Sequence, residues 1–160
     1  MKSFGSTVLN ECAAHPVRQG TASSKVPPGL LHLVTTHDLH ELRAALARGG
    51  LPPDFEAKLA RLAGGNLIER FVEQNSRLFV ALLLAAQDGL FVRITGPERD
   101  HLLRLLAYVR KDDDAVPDYR PDGFLDDQRE VRAATAELGP LLQTFKAWRL
   151  CHQVPAMWAA

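Results

Sequence analysis

Residues 67–87 read LIERFVEQNSRLFVALLLAAQ, and this stretch constrains the fold more than any other. Ile68, Phe71, Val72, Phe79, Leu82, Leu83 and Ala86 recur at helical spacing. From Phe79 to Ala86 the apolar residues run nearly all round the helix. Such a helix needs partners on every side, so the pattern predicts a long central helix enclosed by others. Asn66, with Glu69 three residues later, supplies a capping-box start, and Gly89 supplies the stop. Glu73 and Arg77 stand at i,i+4, a pair worth about 0.3 kcal/mol on a helix surface.

The other helices follow from the same spacing. A first helix is expected over about 37–48, with Thr36 as N-cap, acids Asp38 and Glu41 near its positive end, and Leu39, Leu42 and Leu46 inward. A second starts at Pro52 or Pro53, buries Phe55, Leu59 and Leu62, and closes at Gly64-Gly65. A fourth begins at Thr95, Pro97 and Glu98 and reaches about Lys111, with Leu102, Leu105, Leu106 and Val109 inward. A fifth opens near Gly123 and is broken by Gly139-Pro140. A sixth spans about 141–152 with Leu141, Phe145 and Trp148. Residues 30–34 and the alternating LFVRIT at 90–95 are β-prone enough to form one short extended pair. The expected fold is all-α, a single bundle of about six helices over 30–160. Residues 1–29, rich in Ser, Thr, Gly, Pro and Ala, are expected to be a flexible lead-in.

Composition narrows the function classes. A length of 160 residues suits one domain, and 46% hydrophobic with 24% charged residues is ordinary globular composition. Net charge is zero, which argues against a nucleic-acid binder, since those carry a basic excess. Cys12 and Cys151 lie far apart and form no CxxC or zinc spacing, which fits a reducing, cytoplasmic setting. The N-terminus lacks the sustained apolar run of a signal peptide. The longest apolar run, Leu78 to Ala86, falls well short of the roughly 20 residues of a membrane span. A soluble protein is expected.

Charge concentrates in one place. Tyr108 to Val131 reads YVRKDDDAVPDYRPDGFLDDQREV and holds eight of the chain's 19 acids against four bases. Tyr108, Asp114, Val116, Pro117, Asp118, Pro121, Gly123, Phe124, Leu125, Asp126, Asp127 and Val131 stand in an order that resembles the core of the YkvA-like domain family. That resemblance covers these residues only. It implies a helical domain of undefined function and hands over no catalytic residues. Many relatives are apolar here and sit at membranes. In this chain Asp112 replaces a usual proline, the gap between Pro121 and Gly123 is one residue short, and Arg120 and Asp122 replace apolar positions. A membrane-surface role is therefore disfavoured.

Several residue sets could carry chemistry. Asp112, Asp114 and Asp118 have a loosely cation-binding spacing for calcium or magnesium, without the EF-hand order of ligands. The plainer reading makes Asp122 the cap of the fifth helix and places Asp126 and Asp127 in its first turn, where the dipole favours acids. A third reading makes Asp113, Asp122, Asp126 and Asp127 an exposed face for a partner. Glu98-x-x-His101 resembles one half of a di-iron ligand set, with Glu69 and Glu73 on offer from the third helix. His37-Asp38-Leu39-His40 contains a His-Asp pair of the kind metal phosphohydrolases use, and would need further ligands such as Asp100 and His101. No nucleophile elbow or phosphate loop occurs, Cys151-His152 is adjacency alone, and no cofactor motif is present beyond a possible divalent-cation site. Arg99, Arg104, Arg110 and Lys111 give the fourth helix a basic, solvated side.

The expected function is non-enzymatic: a small soluble helical module that binds another protein through the acidic turn 112–127, aided by Trp148 and Trp158. The alternatives are a metal-dependent, hydrolase-like module on the Asp cluster or the His/Glu helices, and a peripheral membrane protein.

Overall fold

The structure, a computed structural model, describes residues 29–112, 118 and 122–152. A 3-10 turn at Leu30–Leu33 leads into six α-helices: α1 Thr36–Ala47, α2 Pro53–Ala63, α3 Leu67–Gln87, α4 Gly96–Arg110, α5 Leu125–Glu137 and α6 Gly139–Cys151. The bundle is all-α, and no strand occurs among the described residues.

α3 is the central helix, as its pattern predicts. Every residue from Leu78 to Ala86 is buried, and the helix packs against α1, α2, α4 and α5. Asn66 and Glu69 form the expected capping box. The second hub is α4, which touches α1, α2, α3, α5 and the 3-10 turn. Phe55, Phe79, Tyr108 and Phe145 are the largest side chains in the resulting core and are fully buried. Burying an apolar side chain of this size stabilises by about 1.5–3 kcal/mol.

Three local expectations are corrected. The extended pair does not form. Residues 30–33 are a 3-10 turn, and 90–95 is an unpaired link that wraps the end of α3, where the Leu90 and Phe91 N–H groups both donate to the Ala85 carbonyl. The alternation in LFVRIT records Phe91 turning inward onto Phe145 and Trp148 (ring centroids 5.1 and 5.7 Å), with Val92 left outside. The N-cap of α1 is Thr35, not Thr36. Only Thr35 stands three residues before Asp38, so that the two exchange a hydrogen bond in each direction (2.8 and 3.2 Å). The N-cap of α5 is Phe124, with no side-chain cap, and Asp122 gives its main-chain carbonyl to the Leu125 N–H. The break expected at Gly139-Pro140 does occur, with α5 ending at Glu137 and α6 starting at Gly139. Leu138 serves as both C-cap of α5 and N-cap of α6, and Pro140 sits in the first turn of α6, where its missing N–H costs nothing.

The Glu73–Arg77 pair is more than surface decoration. Glu73 is buried, and Arg77 bonds both Glu73 (2.5 Å) and Glu56 of α2 (3.1 Å), tying α2 to α3. Among the described residues, no helix is long and apolar enough to cross a membrane.

Candidate functional site

Phe55, Lys58, Leu59 and Leu62 form the buried stripe of α2. Helical spacing thus places Lys58 on the apolar face, and its side chain is only 3% exposed. A buried ammonium is tolerated only where oxygen atoms replace its water. Lys58 Nζ lies 2.5 Å from Asp118 Oδ2, 3.6 Å from Asp112 Oδ1 and 3.9 Å from Asp127 Oδ2. It also donates to the Lys111 carbonyl at 2.6 Å and lies 5.7 Å from the centre of the Phe124 ring. Lys111 is the C-cap of α4, so its carbonyl is one that helix hydrogen bonding leaves over, at the negative end of the dipole. A cation is favoured there on both counts.

The acids at the start of α5 face inward. Asp127 is fully buried beside Lys58, and Asp126 accepts a 2.6 Å hydrogen bond from the fully buried Tyr108 hydroxyl of α4. The positive end of α5 suits both carboxylates. The first turn of α5 is in this way joined to α2 through Lys58 and to α4 through Tyr108. The Asp118 N–H donates to the Asp112 carbonyl (3.1 Å), which brings these two acids together.

Arginine and lysine at the end of α4 secure the same end of the bundle. Arg110 bonds Glu41 of α1 (2.8 Å) and Asp54 of α2 (2.7 Å). Lys111 Nζ reaches the Leu33 carbonyl (3.1 Å) and Asp38 (3.2 Å). Burial opposes ionisation of Asp38, but hydrogen bonds from Thr35 and Lys111 outweigh it and hold the carboxyl below its ordinary pKa. Asp54 is held low in the same way, against burial, by the Arg110 guanidinium. Burial likewise opposes the charge on Arg110, and its two acid partners raise its pKa overall. The expected solvated side of α4 is, at Arg110 and Lys111, a set of inter-helix ties.

Beside Lys58 opens a groove of about 470 Å³, lined by Arg61, Leu62, Glu69, Asp112, Asp118 and Phe124. The half-buried Phe124 gives it apolar surface, with the buried Leu62 behind. Asp112 stands at its mouth with its side chain 71% exposed, 3.6 Å from Arg61.

The acids singled out in the sequence therefore separate. Asp112 and Asp122 are exposed, Asp118 is turned onto Lys58, and Asp126 and Asp127 are buried, which removes them from an exposed contact face. Asp113, Asp114, Pro117, Pro121 and Trp158 lie outside the described residues. Trp148 packs half-buried on Phe91 and Phe145. Among the described residues, no group of three His, Cys, Asp or Glu side chains is placed to hold a metal ion. Glu98 is engaged in the Thr95 capping box, and His101 faces Glu137 of α5 at 3.5 Å. Asp38 caps α1 while His37 turns to Glu41 at 3.5 Å. His152 stacks on Trp148.

Sequence reasoning missed Lys58. The signal was present: a lysine inside a Phe-x-x-Lys-Leu-x-x-Leu stripe, in a chain whose acids cluster elsewhere. Comparison with family models, with curated proteins and with solved structures finds no match.

Proposed function

We propose that the chain is a non-enzymatic helical module that binds a protein partner at the acidic end of its bundle. The groove beside Lys58 carries this reading. It offers apolar surface from the half-buried Phe124 ring and a lining in which the acids Glu69, Asp112 and Asp118 outnumber the base Arg61. Apolar surface supplies affinity, and the acidic excess selects a partner segment that presents basic side chains next to an apolar one. Exposed Asp122 extends the acidic surface. The resemblance to YkvA-like domains supports a helical module of this kind, and membership of that family is part of the proposal.

Panning the whole protein against a random peptide library tests the reading. Enriched peptides should pair Lys or Arg with an apolar residue. Asp112→Lys with Asp122→Lys should weaken them at least tenfold, about 1.4 kcal/mol. Absence of enrichment, or affinity indifferent to the charge reversal, would overturn the proposal.

A further inference from the structure

We infer that Lys58 is the positioning residue of this face: its ammonium holds Asp112 and Asp118 against the ends of α4 and α5, and the groove keeps its shape only while that cation is in place. The effect on binding rests on the proposed function; the effect on the fold does not.

Three separate pieces of chain converge on Lys58 Nζ. They are Lys111-Asp112 at the end of α4, through the Lys111 carbonyl at 2.6 Å and the Asp112 carboxylate at 3.6 Å, then Asp118 at 2.5 Å, and Asp127 of the first turn of α5 at 3.9 Å. All are negative or carry the negative end of a dipole. The Asp118 side chain is 6% exposed and that of Asp127 is fully buried. Without the ammonium, two carboxylates and a helix C-terminus would crowd one poorly hydrated space, and like charges there repel strongly. The Asp118 carboxylate has the way out, because Asp118 and Asp112 border the groove. Loss of the cation should therefore release Asp118 outward and reshape the groove. The core around Phe79 and Leu82 lies elsewhere on α3 and should persist.

An ordinary packing role and a positioning role give different results in a rescue experiment. Lys58→Ala leaves room for a small alkylammonium ion, which restores the charge without the covalent tether. Amide hydrogen exchange reads the local effect at Asp118, whose N–H bonds the Asp112 carbonyl, and the global effect at Leu82. In Lys58→Ala, exchange at Asp118 should accelerate at least about tenfold more than exchange at Leu82. Leu82 should follow global stability only. Propylammonium chloride should slow Asp118 exchange and recover affinity for the selected peptides, and equal sodium chloride should not. Unchanged exchange at Asp118, equal acceleration at both amides, or rescue by sodium as good as by propylammonium would each overturn the inference.

Should Lys58→Ala not fold, Lys58→Gln fills most of the space of the side chain without its charge, and exchange at Asp118 should again accelerate beyond that at Leu82, with no rescue by propylammonium because the site is filled. The unmodified protein gives an independent reading. A caged ammonium exchanges slowly enough to show a ¹H–¹⁵N signal near neutral pH, and the absence of such a signal for Lys58 would also overturn the inference. If no peptide binds the unmodified protein, the proposed function fails while the exchange results still decide the role of Lys58.

Discussion

The Tyr108 hydroxyl donates a 2.6 Å hydrogen bond to Asp126 Oδ2, joining the last turns of α4 to the first turn of α5 in a place closed to water. The two residues are 18 apart in sequence, and the acidic stretch lies between them. Tyr108→Phe removes the donor and leaves the carboxylate buried. A hydrogen bond to a charged group contributes about 1.5–3 kcal/mol, and the variant should lose about that much in urea unfolding with its helical spectrum intact. A loss under about 0.5 kcal/mol, typical of a surface change, would mean that the contact is not formed in solution.

α3 should respond to truncation as the centre of the bundle. Phe79 is fully buried, whereas Val92 is 80% exposed on the link after α3. Phe79→Ala should cost about 3–5 kcal/mol, the transfer of the ring plus the cavity it leaves. Val92→Ala should stay within about 0.5 kcal/mol. Similar midpoints for the two variants in denaturant would contradict the central place of α3.

Acid should weaken the straps at the end of α4. Asp38 and Asp54 both have folded-state pKa values below the ordinary 3.8. Between the lowered and the ordinary values the unfolded chain binds more protons than the native one, so unfolding free energy rises with pH across that window. The contribution is complete above the ordinary value and is lost as pH falls through the lowered values. Asp54 is 58% exposed, so solvent screens its pair with Arg110 and its share is small. Unfolding free energies followed from pH 6 to 2.5 should fall below about pH 5. Asp38→Asn should flatten that fall more than Asp54→Asn. Curves that coincide with that of the unmodified protein would remove these two groups from the account.

What the sequence made legible and what it concealed divide along physical lines. α3 was legible because a helix apolar nearly all round has no stable place except the interior, whatever surrounds it. The capping boxes at Asn66 and Thr95 were legible because each is complete within four residues. The link at 90–95 was not, because alternation records which side chains turn inward and is silent on whether a strand or a helix receives them. Here α6 receives Phe91 through Phe145. Asp126 and Asp127 looked like exposed first-turn acids because their partners, Tyr108 and Lys58, come from other helices. Lys58 itself was legible only as an oddity in an apolar stripe, and its meaning required Asp118 and Lys111 to be brought to it in space.

Lys58 and Asp118 act as a pair inside the protein. A double-mutant cycle of Lys58→Met and Asp118→Asn, read by urea unfolding, measures that directly. Side chains 3% and 6% exposed at 2.5 Å should couple by about 1–3 kcal/mol, with the double variant more stable than the sum of the single losses. Strict additivity of the two losses would contradict it, and the acidic end of the bundle would then owe its shape to something other than this lysine.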